Sequence, residues 1–235
     1  MKKRTIFTVV VLIVFAIFAV LFLTGKQAAF ANIRLFSKDT NAARSLKTIG
    51  LGPILSSQSS DYAVAYTVEP GDSLAKIAKK FGTTIPLIKK RNALQSDVVR
   101  AGQRLNIWTG KFHILVSKAK NVLQLKVEDN IMKVYTVSTG KAETTTPAGN
   151  YTIITKLVNP VWYHDGKVYP PGHPENGLGS RWMGLNAEGY GIHGTIHPDQ
   201  IGQAVSMGCV RMFNQDAEEL YDLIPEGTEV SVVDK

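Results

Sequence analysis

The side chains best suited to covalent chemistry are the single cysteine, Cys209, and a histidine 16 positions before it, His193. They lie in the stretches Gly191-Ile192-His193-Gly194-Thr195 and Ser206-Met207-Gly208-Cys209-Val210-Arg211. A thiol attacks as its thiolate and ordinarily titrates at about 8.5, so at neutral pH it needs a neighbouring base or positive charge. A hairpin or loop between the two residues can return the imidazole to the sulfur. Arg211 follows Cys209 by two positions and in a strand faces the same side, where it can favour the thiolate or hold a substrate carboxylate. Gly208 lets a substrate approach the backbone, and the peptide N–H groups around Gly208 and Cys209 are placed to stabilise an oxyanion. A competing use of the same groups is zinc binding by His193, His197 and Cys209 with His164 or His173. Gly194 and Pro198 interrupt any helix across His193 and His197, so their spacing carries no ligand geometry, and neither a metal nor another cofactor is expected.

These groups need a rigid frame, and residues 110–235 supply a mainly β one, expected to be a sandwich or barrel-like with a short helix. Ile114–Val116, Val122–Val127 and Met132–Ser138 alternate or run β-branched, with a turn at Glu128-Asp129-Asn130. Another strand is predicted over Tyr151–Leu157, and Glu229–Val233 closes the domain. Residues 159–195 are rich in Gly, Pro, Trp and His, the composition of a long loop that carries binding residues. Trp162, Tyr163, Trp182 and Tyr190 are candidates to line a groove there. A short helix is expected over Asp216–Ile224, with Ala217, Leu220, Tyr221 and Ile224 on one face.

Residues 63–109 read as a βααβ unit. Tyr66-Thr67-Val68 is a strand and Pro70-Gly71 a turn. Asp72 or Ser73 caps a helix with Leu74, Ile77, Ala78 and Phe81 on its apolar face, ended by Gly82. Thr83 or Thr84 caps a second helix with Pro86 in its first turn, and Gln103–Trp108 is the closing strand. The ordered pieces Pro70-Gly71-Asp72-Ser73-Leu74, Ile77-Ala78, Phe81-Gly82 and Gly102-Gln103-Arg104-Leu105 resemble a LysM module. That resemblance implies binding to polymers containing N-acetylglucosamine, here peptidoglycan.

Ahead of this unit, Lys2, Lys3 and Arg4 precede an uncharged run of 20 residues, Thr5–Thr24. As a helix rising about 1.5 Å per residue it spans a bilayer, with the basic cluster held in the cytoplasm and the later domains outside the cell membrane. A second reading is a signal peptide cleaved near Ala31, after Ala29-Phe30-Ala31, with the protein secreted to the cell wall. Residues 1–25 are thus assigned to the anchor and 26–62 to a linker. Net charge is +6 over residues 1–62, +5 over 63–109 and −3 over 110–235. The positive charge therefore lies beside the membrane and on the small module, which suits anionic lipid or wall polymer, and export excludes nucleic acid as a partner.

Taken together, residues 111–235 resemble the L,D-transpeptidases, the cysteine enzymes that crosslink peptidoglycan. The resemblance rests on Ser-x-Gly-Cys-x-Arg at Ser206–Arg211, on Gly191–Thr195, on Thr146-Pro147-Ala148-Gly149 with Tyr151, and on Gly179–Leu185. Met207 stands where many members carry a second histidine. The resemblance implies Cys209 as nucleophile, His193 as base, and the Gly194 carbonyl as the group orienting the imidazole. It implies that Ser206, Gly208 and Arg211 shape the acyl pocket, with Ser206, Trp182, Tyr190 and Thr195 in the substrate-binding set. The implied reaction is attack of Cys209 on the third residue of a tetrapeptide stem, release of terminal D-alanine, and resolution of the thioester by an amine of a neighbouring stem. Water as acceptor would make it an L,D-carboxypeptidase, and loss of turnover would leave a wall-binding protein. Carbapenems are expected to acylate Cys209.

Overall fold

The computed structural model describes residues 48–56 and 61–235. The proposed membrane anchor lies outside the described residues, among which no helix is long and apolar enough to cross a membrane.

The chain enters through a short helix α1 (Gly52–Leu55) and strand β1 (Ala63–Thr67). Helices α2 (Leu74–Phe81) and α3 (Ile85–Arg91) follow, then β2 (Arg104–Trp108), which pairs antiparallel with β1. Local chemistry fixes the helix ends. The Ser73 hydroxyl accepts from Lys76 N–H, Gly82 takes the left-handed conformation at the C-cap, and the Thr84 hydroxyl accepts from Leu87 N–H. The other cap candidate, Asp72, instead accepts from the Tyr66 hydroxyl at 2.6 Å and the Glu69 amide. Leu74, Ile77, Ala78, Ile88, Leu105 and Ile107 form the module's own core.

The second part begins with the antiparallel meander β3 (Phe112–Ser117), β4 (Val122–Val127) and β5 (Asn130–Thr136). Strict burial alternation in β4, with Leu123, Leu125 and Val127 fully inside, fixes which face is core. A two-residue strand β6 (Thr139–Gly140), the long β7 (Gly149–Val158) and a hairpin of β8 (Trp162–His164) and β9 (Lys167–Tyr169) follow. Next come β10 (Arg181–Leu185), β11 (Gly191–His193), β12 (Ala204–Ser206), β13 (Val210–Arg211), helix α4 (Asn214–Leu223) and β14 (Glu229–Val233). Eight of these strands form one mixed sheet in the order β13-β11-β10-β7-β14-β3-β4-β5. Beyond β5, Ser138 exchanges two backbone hydrogen bonds with Arg211 of β13, at 2.8 and 2.9 Å, so the far edges of the sheet meet. The domain is therefore a mainly β, barrel-like structure rather than a two-sheet sandwich, and Arg211 lies on its seam. Helix α4 begins two residues earlier than the sequence pattern predicts and inserts Ala217, Leu220 and Leu223 into the core.

The stretch 26–62, read as linker, holds packed residues in its described part. Ile54 on α1 is fully buried in the large core, and the Ile49 amide bonds the Ile131 carbonyl at 2.9 Å. The buried Arg91 explains this: its guanidinium donates to the carbonyls of Pro53 and Ile54 and to the side chain of Asn106. Leu87 and Trp108 of the βααβ module belong to the same core as the β domain. Thr84 and Lys90 reach Asp222 at the end of α4, the latter as an ion pair of 2.9 Å.

Candidate active site

Strands β7, β10, β11 and β13 lie side by side, and their register sets two rows of side chains across them. Met183, Ile192 and Val210 are opposite one another and point into the core. The next row reads Leu157, Trp182, His193, Arg211. Alternation in a strand puts this row on the other face. Continuing the parallel β11–β13 register by one position sets Cys209 opposite Gly191, so its side chain shares the face of His193 and Arg211. The register thus puts the Cys209, His193 and Arg211 side chains on one side of the sheet, and a groove of about 260 Å³ opens at Cys209 and Trp182. Cys209 lies in its floor, with Leu157, Val161, Trp162, Tyr163, Leu178, Trp182 and Gly189 around it.

His193 is 4% exposed, with its Nδ1 2.6 Å from the Gly194 carbonyl oxygen and its ring stacked on Trp182 at 5.7 Å between centroids. Neutral Nδ1–H donates to that carbonyl, leaving Nε2 to accept a proton. Burial pushes the imidazole down to about 4; the Gly194 and Leu178 carbonyls oppose this and the Arg211 charge reinforces it. Burial also raises the Cys209 thiol above its ordinary value, against the Gly191 amide and the Arg211 charge, which favour the thiolate. The Cys209 thiol donates to the Gly189 carbonyl at 3.4 Å. The sequence reading expects a sulfur ionised by its neighbour. Desolvation pushes both groups the other way, toward the uncharged thiol and the uncharged imidazole.

Comparison with known proteins gives this arrangement a family. A family model described as the L,D-transpeptidase catalytic domain matches residues 111–232, and one described as the LysM domain matches 66–108. The chain belongs to the L,D-transpeptidase family. It is 37% identical over 174 residues, 71% of its own length and 97% of the other's, to an L,D-transpeptidase named YkuD from Bacillus licheniformis. Over 53 residues it is 43% identical to the cell wall-binding protein YocH of Bacillus subtilis, 23% of this chain and 18% of that protein. Among solved structures it resembles L,D-transpeptidase 3 from Mycobacterium tuberculosis in complex with a faropenem-derived adduct, with 17% identity, 56% of this chain and 63% of that chain covered, and a TM-score of 0.45.

Within this L,D-transpeptidase, the remaining sequence-predicted residues fall into two groups. Trp182 lines the groove, and its indole lies where a Cβ on Gly184 or Gly191 would sit. Tyr190 packs over Gly208, whose φ of +112° and contact with the Tyr190 ring leave no place for a side chain. Ser206 and Thr195, expected to touch substrate, are 0% and 3% exposed and act inside the scaffold. The Ser206 hydroxyl donates to the Cys209 carbonyl at 2.6 Å and accepts from the Gly208 amide at 3.1 Å, closing the turn that presents the sulfur. This also engages one amide expected at the oxyanion. The Thr195 hydroxyl accepts from His197 N–H, and its backbone bonds Asn214 at both ends. Gln200 holds Arg211, accepting from Nη1 at 3.1 Å. Leu157, Val161 and Leu178 in the groove wall, together with Asn214, are absent from the sequence-derived set. They are ordinary apolar or helix-start residues whose importance comes only from register.

Proposed function

We propose that the protein forms crosslinks in peptidoglycan through a thioester on Cys209, with His193 as proton acceptor. The observation that carries this reading is the row Trp182, His193, Arg211 beside a groove floored by Cys209. In the acylation step, Cys209 Sγ bonds to the carbonyl carbon of the third stem residue while its proton passes to His193. The C–N bond to the terminal D-alanine breaks, and the protonated imidazole returns the proton to the departing amine. An amine from a neighbouring stem then attacks the thioester and frees the sulfur. Because desolvation disfavours both charged forms, proton transfer accompanies attack rather than preceding it. The Cys209 amide meets the oxyanion, and Arg211 stabilises developing negative charge.

In this reading the LysM module binds the glycan, residues 5–24 anchor the chain, and residues 63–235 work outside the cytoplasm. Incubation with a defined disaccharide-tetrapeptide and mass analysis of the products tests it. A dimer lacking one D-alanine is expected, whereas a tripeptide alone means a carboxypeptidase. A carbapenem adduct on Cys209 is expected in parallel. Absence of both products and adduct would leave a wall-binding protein.

A further inference from the structure

The Gly194 carbonyl can orient the His193 imidazole only if its own direction is fixed, and β11 ends at His193, so strand pairing does not fix it alone. The missing constraint comes from the first residue of α4. Asn214 Oδ1 accepts from the amides of Thr195 at 3.0 Å and Ser180 at 3.2 Å, and its Nδ2 donates to the Thr195 carbonyl at 3.0 Å. One side-chain amide thus ties the end of β11 to the chain entering β10. The fit leaves no slack: a Cβ on either Gly194 or Gly179 would run into Asn214 Oδ1, and Gly179 has φ +65°. The helix that carries Asn214 is held by its buried residues Ala217, Leu220 and Leu223, so the clamp is mounted on the core.

We propose that Asn214 is a positioning residue that sets the orientation of the catalytic imidazole through the Gly194 carbonyl. The inference rests on the reading of His193 as the base. The groups that act on the His193 ring are the Gly194 carbonyl, Arg211 from β13, the Trp182 ring from β10 and the Leu178 carbonyl. Asn214 touches none of these by any bond described above, so its effect on the ring runs through residues 194–195.

The test uses the full chain and two variants, Asn214→Ala and Asn214→Asp. Acylation of Cys209 by a carbapenem is followed to saturation, and the His193 ring is observed by NMR, assigned by its loss in His193→Gln. For Asn214→Ala the saturating acylation rate should fall about 10- to 100-fold, the scale of a misplacement near 1 Å, with little change in the half-saturating concentration. The His193 resonances should shift and the ring should titrate nearer its ordinary value. Asn214→Asp keeps both acceptor bonds and should lose less rate than the alanine variant; if the alanine variant does not fold, the comparison of Asp with wild type carries the test. A folded Asn214→Ala protein with an unchanged rate, or with unmoved His193 resonances, overturns the proposal. If His193→Gln acylates normally, the assignment of the base fails instead, and the NMR response still decides whether Asn214 positions the ring.

Discussion

Replacing His193 by glutamine removes one buried titrating ring and keeps a planar group able to donate to Gly194. The ring is 4% exposed and titrates at about 4 in the folded protein, and in the unfolded chain it returns to about 6.5. Between those values the unfolded state binds a proton that the folded state refuses, so stability is lost as pH falls from 6.5 toward 4 and is unaffected by this group above about 7.5. Integrating the linkage relation gives a loss of about 2 kcal/mol at pH 5 and about 3 kcal/mol at pH 4, relative to pH 7.5. Urea unfolding of both proteins at pH 7.5 and pH 5 isolates the effect, because every other titrating group is common to the pair. Wild type should lose about 2 kcal/mol more than His193→Gln on this shift, a midpoint difference of roughly 1 M for a slope of about 2 kcal/mol/M. Equal acid sensitivity in the two proteins would refute a neutral, desolvated imidazole.

Other consequences follow from the same contacts. Because burial raises the Cys209 thiol, alkylation by iodoacetamide should be slower at pH 7 than for an exposed thiol and should keep rising with pH beyond 8.5; a plateau by pH 7 would show a thiolate at rest. Gly194→Ala should cost at least about 2 kcal/mol, because its Cβ meets the Asn214 amide, and should lower the melting temperature accordingly. Ile54→Ala should destabilise by about 2–5 kcal/mol, read by chemical denaturation, although the residue sits in the stretch read as linker. Lys90→Ala, which removes a part-exposed ion pair with Asp222, should cost less than about 1 kcal/mol, whereas Arg91→Met, which strands the carbonyls of Pro53 and Ile54, should cost about 3 kcal/mol in the same assay.

What could be read in advance was local. The caps at Ser73 and Thr84, the αL glycine at Gly82, the alternation in β4 and the Gly-Ile-His-Gly-Thr and Ser-x-Gly-Cys-x-Arg stretches are short-range signals, and each lies where the sequence predicts an element or a reactive group. What escaped was set by pairing between distant segments. The resemblance puts Ser206 and Thr195 among the substrate contacts, but both side chains are buried, where the Ser206 hydroxyl closes the turn at Cys209 and the Thr195 backbone binds Asn214. Asn214 reads only as a helix start; its clamp exists because α4 is laid across the ends of β10 and β11. The directions in which the Cys209 and His193 titrations move were equally out of reach, since burial is their first cause.

The shared core of the two modules bears on how the enzyme meets its polymer. Family boundaries fall at residues 108 and 111, yet Leu87 and Trp108 are buried among β-domain residues and Asp222 is bonded from the small module. No hinge separates grip from blade among the described residues. If the small module holds glycan as proposed, a strand gripped there would present its stems to Cys209 at one fixed pitch, and the spacing of bonds along the wall would be a dimension of the protein, not of a swinging tether.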